Sequence, residues 1–498
     1  MKFSIQNLMT SSGVAFGTSG ARGLATAMTD LVCYAYTRGF LQYLEAIGEL
    51  QRAGERVAVG GDFRPSTDRV MAAVMQAAAD LGYTPVNCGK TPSPAVALFG
   101  LTQKIPAIMV TGSHIPDDRN GIKFNQCAGE VLKSDEAGIA GQVVELADDQ
   151  FDAAGWFTSA PAPREISPAA EDAYVARYLN VFPADALQGL HLGVYQHSAV
   201  GRDVLVKILA GLGARVLRLG RSEKFIPVDT EAIRPEDVAL ARQWAAEQPL
   251  DAIVSADGDS DRPLVSDEHG VWLRGDVAGI LCAEFLGADS VSTPVSCNTA
   301  VEKCGWFQEV RRTRIGSPYV IVSMQQAAAD GAQSVVGYEA NGGFLLHSNL
   351  TIEGKTLAAL PTRDAVIVIL GILLLARRGG KTVSELAAVL PARFTASDRI
   401  KNFPAANSAA ILARFNTGNA AADRFAVESV FGGLAGTVET LDRTDGLRCT
   451  FANDEVIHLR PSGNAPELRC YTEAATDARA RELNAGVLDL LLKTLRPA

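Results

Sequence analysis

The chain has 498 residues, 47% hydrophobic, 20% charged and 7% aromatic, which excludes a disordered, fibrous or disulfide-stapled protein and supplies more apolar material than one core can hold. Its 46 Lys and Arg against 56 Asp and Glu leave a net charge of −10 and a pI near 5.3, so neither nucleic acid nor an anionic membrane is the expected partner. An anionic ligand would have to meet basic groups gathered locally.

The first twenty residues contain no continuous apolar segment, so no signal peptide is expected. Eight scattered cysteines (Cys33, Cys88, Cys127, Cys282, Cys297, Cys304, Cys449, Cys470) show no zinc or redox spacing and read as buried thiols of a cytoplasmic protein. Phe16–Gly23, FGTSGARG, is a glycine-rich turn whose candidate cation is Arg22.

Residues 56–89 read as strand, amphipathic helix and strand, with Leu81–Gly82 as the helix stop. Residues 191–220 repeat that grammar, and a fainter copy runs from Ser290 to Val335. Strand, helix and strand in this order make a crossover between parallel strands, so three related α/β layers are expected. Ser159–Pro168, SAPAPREISP, lacks periodicity and reads as a linker. The apolar run Ala365–Ala376 is bracketed by Arg363, Asp364, Arg377 and Arg378 and is shorter than the ~20 residues that span a bilayer, so it predicts a buried helix. A second break is expected near Leu390–Ser397. Beyond it, short strands (TVETLD, LRCTFA, EVIHLRPS, ELRCYTEA) alternate with two predicted helices, Ser408–Asn416 and Thr476–Leu495, as an α+β unit.

Four further loops carry chemistry. Ile105–Val110 predicts a strand that breaks at Thr111-Gly112-Ser113-His114, where α/β sheets open to ligands. His114, Arg119 and Lys123 are placed to neutralise a phosphate on Ser113. No G-x-S-x-G elbow is present, which speaks against an acyl-transfer serine. Next, DGDSDR sets Asp257, Asp259 and Asp261 at alternate positions after a strand. Three carboxylates so close repel unless a cation joins them, and oxygen ligands suit magnesium. A calcium loop, with Glu268 at its twelfth position, and a solvated acidic turn are the rivals; the calcium loop's glycine is replaced by Arg262. Glu339 and Asn341, in VGYEANGGF, can accept from and donate to sugar hydroxyls. Finally, Arg460, Ser462, Gly463 and Asn464, with Arg469 on the return, form a concave phosphate site.

FGTSGARG, TGSHIPDDRNGIKF, DGDSDR, GYEANGG and RPSGNAPELR, in this order, resemble the loops of the α-D-phosphohexomutase superfamily of phosphomannomutases, phosphoglucomutases and phosphoglucosamine mutases. The resemblance implies an α/β fold of three related mixed α/β domains and a C-terminal α+β domain around a central cleft. Their expected bounds are 1–160 (phosphoserine), 161–275 (metal loop), 276–392 (sugar loop) and 393–498 (distal phosphate). It implies that Ser113 is the phosphoserine and, with Asp257, Asp259 and Asp261, a magnesium ligand, and that Arg22, His114, Lys123 and Arg262 surround the reacting phosphate. Glu339 and Asn341 fall on the sugar contacts, and Arg460, Ser462, Gly463 and Asn464 on the distal phosphate site. The implied reaction exchanges hexose 1-phosphate and 6-phosphate through a hexose 1,6-bisphosphate that also serves as activator, with mannose phosphate preferred and glucose phosphate next, in a monomer or homodimer. Four departures bear on substrate: Asn464-Ala465 replaces threonine-glutamate, Asn341 replaces serine, and Gly343 and Ser317 each stand where some members have histidine. A phosphatase using the same serine and metal, and a non-catalytic phosphosugar sensor, are the alternatives.

Overall fold

The computed structural model describes residues 2–17, 20–51, 55–462 and 466–494. The three crossover segments each build a sheet of one design. In the first, Arg56–Gly61 lies between Thr84–Lys90 and Ala107–Val110, parallel to both, and Arg119–Gln126 returns antiparallel to Ala107–Val110. In the second, His191–His197 lies parallel between Arg215–Arg221 and Ala252–Ala256, and Pro263–Val265 returns antiparallel. In the third, Ser290–Pro294 lies parallel between Glu309–Thr313 and Val335–Tyr338, and Phe344–Leu346 returns antiparallel. The serine, aspartate and glutamate loops therefore occupy one topological position, the hairpin between a buried parallel strand and its antiparallel successor.

Local sequence explains these elements. The helix Thr67–Asp80 buries Val70, Met71, Val74, Ala77 and Ala78 at helical spacing. It stops where Gly82 takes a left-handed φ of 90°. The segment read as a linker lies along the edge of the first sheet, with Ile166 bridging Asn87 and Asn87 Nδ2 donating to Arg164 O at 2.9 Å. The apolar run forms the helix Ala365–Arg378, packed on Gly275–Phe285. Among the described residues no helix is long and apolar enough to cross a membrane.

The C-terminal unit departs from expectation in two places. Its antiparallel sheet has five strands, in the order Phe394–Ile400, Leu468–Ala474, Val456–Pro461, Leu447–Phe451 and Val438–Asp442. The first of these was expected to be a break. A third helix, Ala420–Ala435, joins Ala405–Ala413 and Asp477–Thr494; it starts where the Asn419 side chain accepts from Ala421 N and Ala422 N. The apolar cores do not divide one per unit. One continuous core runs from Tyr174 through Leu390 across the second and third sheets and takes in Ala95 and Leu98 of the first unit, while the first and last units also have cores of their own. All eight cysteines are free.

Candidate active site

Ser113 follows the strand Ala107–Val110 in a left-handed conformation, φ 56°, and is fully buried. Thr111 Oγ1 accepts from its N–H at 2.8 Å, and the serine Oγ donates to Asp257 Oδ2 at 2.6 Å. Residues 144 apart in sequence are thus in direct contact. Gly258 makes the approach feasible, because a Cβ there would stand 2.5 Å from Ser113 O.

The aspartate loop is a tight turn closed on itself. Asp257 Oδ1 accepts from Asp261 N and Arg262 N at 3.2 and 3.3 Å, and Asp259 O accepts from Ser93 N at 2.9 Å. Ligand oxygens of Asp257, Asp259 and Asp261 lie within 4.8 Å of one another, all three buried. Burial and the two neighbouring carboxylates push Asp257 well above the usual carboxylate range. Asp259 Oδ1 and Asp261 Oδ1 have no hydrogen-bond partner among the described residues. Buried anionic oxygens without donors, beside a serine hydroxyl, fit a hard divalent cation, and these residues can hold a metal ion. Glu268 lies elsewhere: it accepts from Ser384 Oγ and Ser384 N, so a twelve-residue calcium loop is not formed.

Cations ring this centre. Lys123 Nζ reaches Asp259 Oδ2 and Asp261 Oδ2, each at 2.6 Å; burial opposes its charge, but the two carboxylates outweigh burial and raise it. Arg262 Nη1 donates to His114 Nδ1 at 3.0 Å, and that nitrogen is 3.4 Å from Ser113 Oγ. Burial and then Arg262 push His114 down to about 3, so His114, expected among the charged groups, is a neutral acceptor here. Arg22 has no side-chain hydrogen bond to a described residue. Burial, reinforced by Arg262 and Arg363, lowers it to about 10, as expected for a cation held ready for an anion. Arg119, also expected near the phosphate, is exposed.

In the third hairpin, Glu339 Oε2 accepts from Arg363 Nε at 2.6 Å. Asn341 Oδ1 accepts from Gly343 N at 2.9 Å. Arg363 also donates to Ser317 Oγ at 3.0 Å and lies 3.8 Å from Asp261, tying this hairpin to the aspartate loop. In the last unit, Arg460 Nε donates to Asp445 Oδ2 at 2.9 Å, and the same oxygen accepts from Ile315 N at 2.9 Å. Arg469 stands directly across the strand pair from Arg460, an opposition of like charges that favours an anion between them. Ser462 N donates to Glu467 O at 2.9 Å; Gly463 and Asn464 lie outside the described residues.

Four sequence profiles match this chain in order: phosphoglucomutase/phosphomannomutase alpha/beta/alpha domain I at 13–149, domain II at 172–270, domain III at 274–394 and the C-terminal domain at 395–490. The chain belongs to the phosphoglucomutase/phosphomannomutase family. It is therefore a phosphohexomutase, an intramolecular phosphotransferase. A phosphomannomutase of Sinorhizobium fredii is 44% identical over 96% of this chain and 99% of its own. One of Salmonella muenchen is 41% identical over 98% and 97%. The solved structure of a putative phosphomannomutase from Thermus thermophilus shares the fold, with a TM-score of 0.72 at 20% identity over 96% of this chain and 99% of that one.

Sequence reasoning missed some residues of the phosphohexomutase site. Arg363 was read as a charge flanking an apolar helix, yet it is buried and joins Glu339 to the aspartate loop. Asp229 brings a carboxylate from the second unit to 4.0 Å from His114. Neither sits in a patterned motif; only the fold brings them in.

Proposed function

We propose that this phosphohexomutase interconverts mannose 1-phosphate and mannose 6-phosphate through phosphorylated Ser113 and a mannose 1,6-bisphosphate, traces of which activate it. The observation that carries the reading is the 2.6 Å contact of the Ser113 hydroxyl with Asp257 inside a buried group of three aspartates. The mannose preference is supported by two phosphomannomutase relatives that match almost end to end.

The four units, divided near residues 160, 275 and 392, each give the cleft one loop. Magnesium held by Ser113, Asp257, Asp259 and Asp261 supplies positive charge beside the transferring phosphoryl group. Arg22, Lys123 and Arg262 offset the charge on its other oxygens. The sugar hydroxyl oxygen forms its bond to phosphorus as the bond from phosphorus to Ser113 Oγ breaks. Lys123, kept protonated by two carboxylates, donates to the phosphoryl group, His114 accepts from Arg262 and so orients that guanidinium, and the proton lost by the sugar hydroxyl ends on the departing Ser113 Oγ. The free oxygen of Glu339, and Asn341, contact sugar hydroxyls, while Arg460, Ser462, Gly463 and Asn464 hold the distal phosphate. The bisphosphate then turns over and returns its other phosphate to Ser113. The enzyme acts in the cytoplasm as a monomer or homodimer, with a phosphosugar rather than nucleic acid or membrane as its ligand.

Turnover on mannose, glucose and glucosamine 1-phosphates, with the matching bisphosphate supplied, tests the substrate. Mannose 1-phosphate should give the highest kcat/KM, and a higher value for another sugar would refute the preference. Inorganic phosphate released in step with turnover would identify a phosphatase instead. Ser113→Ala should abolish conversion.

A further inference from the structure

Ser113 holds a left-handed backbone that non-glycine residues rarely adopt, so something must fix it. Arg64 is the group placed to do so. Its side chain is fully buried and directs its donors at one loop. Nη2 donates to Ser113 O at 2.8 Å and Ile115 O at 2.5 Å. Nη1 donates to Pro116 O at 2.6 Å and Arg119 O at 3.1 Å, and Nε donates to Asp62 Oδ2 at 3.0 Å. Four carbonyls of the segment that carries the serine therefore converge on one planar guanidinium, a fork that lysine cannot reproduce.

Asp62 closes the other side. Its Oδ2 accepts from Thr111 Oγ1 at 2.7 Å, and Thr111 Oγ1 in turn accepts from Ser113 N. Gly112 lies flat against the guanidinium, since a Cβ there would stand 2.6 Å from Arg64 Cζ. Arg64 Cζ also sits 4.2 Å from the ring centre of Phe225, which belongs to the second unit. Next to Arg64 in the chain, Phe63 lies under Arg202 of that unit at 4.7 Å. This reciprocal pair of cation–π contacts joins the serine loop's scaffold to the unit bearing the aspartates.

We propose that Arg64 is the positioning residue that sets Ser113 Oγ against Asp257, by fixing the serine loop's carbonyls and, through Phe225, its distance from the aspartate loop. The inference rests on Ser113 being the phosphoryl carrier. Arg64→Lys keeps a buried cation but cannot serve four carbonyls at once. It should lower kcat by about 100-fold, the cost of an ångström-scale misplacement, and leave KM for the hexose 1-phosphate within about 3-fold, since uniform substrate binding is untouched. Gly112→Ala retains Arg64 and displaces it; it should show the same split with a fall in kcat of about 10-fold or more. Both are measured beside Ser113→Ala, with circular dichroism confirming the fold. A folded Arg64→Lys or Gly112→Ala enzyme with kcat within about 3-fold of the parent, or a loss carried by KM, overturns the proposal. If Arg64→Lys does not fold, Gly112→Ala decides. An active Ser113→Ala enzyme refutes the phosphoserine reading itself, whereas an inactive one beside a fully active Arg64→Lys refutes only the role of Arg64.

Discussion

Replacing Gly258 by alanine tests whether the spacing between the serine and aspartate loops controls the chemistry. The added Cβ would meet Ser113 O at 2.5 Å and the Phe225 ring at 3.2 Å. The carbonyl is backbone and Phe225 is held by Arg64, so neither neighbour can swing aside as a flexible chain end would. Opening the closer contact to an ordinary 3.4 Å separates the loops by about 0.9 Å. The same movement stretches the 2.6 Å bond between Ser113 Oγ and Asp257 to about 3.5 Å, beyond hydrogen-bond range. A misplacement near 1 Å costs roughly 10²-fold in rate, or about 2.7 kcal/mol of transition-state stabilisation. A coupled assay of hexose 1-phosphate turnover, with bisphosphate and magnesium saturating, should show kcat falling by that order with KM little changed. A Gly258→Ala enzyme with kcat within about 2-fold of the parent would refute the reasoning, because the loops would then tolerate a separation that the geometry forbids.

Stability depends on a second buried cluster. Asp364 caps the helix Ala365–Arg378 and accepts from the hydroxyls of Tyr174, at 2.6 Å, and Tyr178. Asp364→Ala removes a cap and strands two buried hydroxyls, so it should cost about 3–6 kcal/mol, read as a lower thermal midpoint with no loss of kcat per folded molecule. Burial pushes both His197 and His458 down to about 4. Their contribution is complete above the ordinary histidine pKa of about 6.5 and is lost as pH falls through the window down to 4, where the unfolded chain takes up protons first. Denaturant midpoints should fall between pH 7 and pH 5 by the equivalent of about 2 kcal/mol per histidine, and His458→Asn should flatten that slope. Chelation of divalent metal should abolish turnover, and magnesium at about 100 times its dissociation constant should raise stability by about 2.7 kcal/mol. No rise in thermal midpoint with magnesium would contradict a site built from the three aspartates.

The sequence made the crossover units legible because each pairs a continuous apolar strand with an amphipathic helix and a glycine stop, as at Val57–Gly82. The serine and aspartate loops were legible because their polar residues follow directly on such strands. The strand Phe394–Ile400 was hidden by its composition: it lies at a sheet edge, and only Thr395 and Ile400 are buried, so no apolar alternation marks it. The helix Ala420–Ala435 carries Gly432-Gly433 in its last turn and exposes Phe425, which blurs its apolar stripe. Apart from the Asp62 partner of Arg64, Arg64, Phe225 and Arg363 act through partners that the chain brings near only in three dimensions. Nothing in their own neighbourhoods distinguishes them from surface or core residues.

The common position of the three hairpins has a consequence for how the gene can vary. Each loop hangs from a register that pairs Val110 with Ile122, Ala256 with Pro263, or Tyr338 with Phe344. Slipping any of these by two residues would retract its loop by about 7 Å, more than twice the reach of a hydrogen bond, while leaving the sheet intact. Insertions and deletions should therefore be purged from these three hairpins even when the protein still folds. They should instead accumulate at the opposite ends of the same sheets, in the turns near Gly82, Gly213 and Gly331 that precede parallel strands, where length changes leave the cleft untouched.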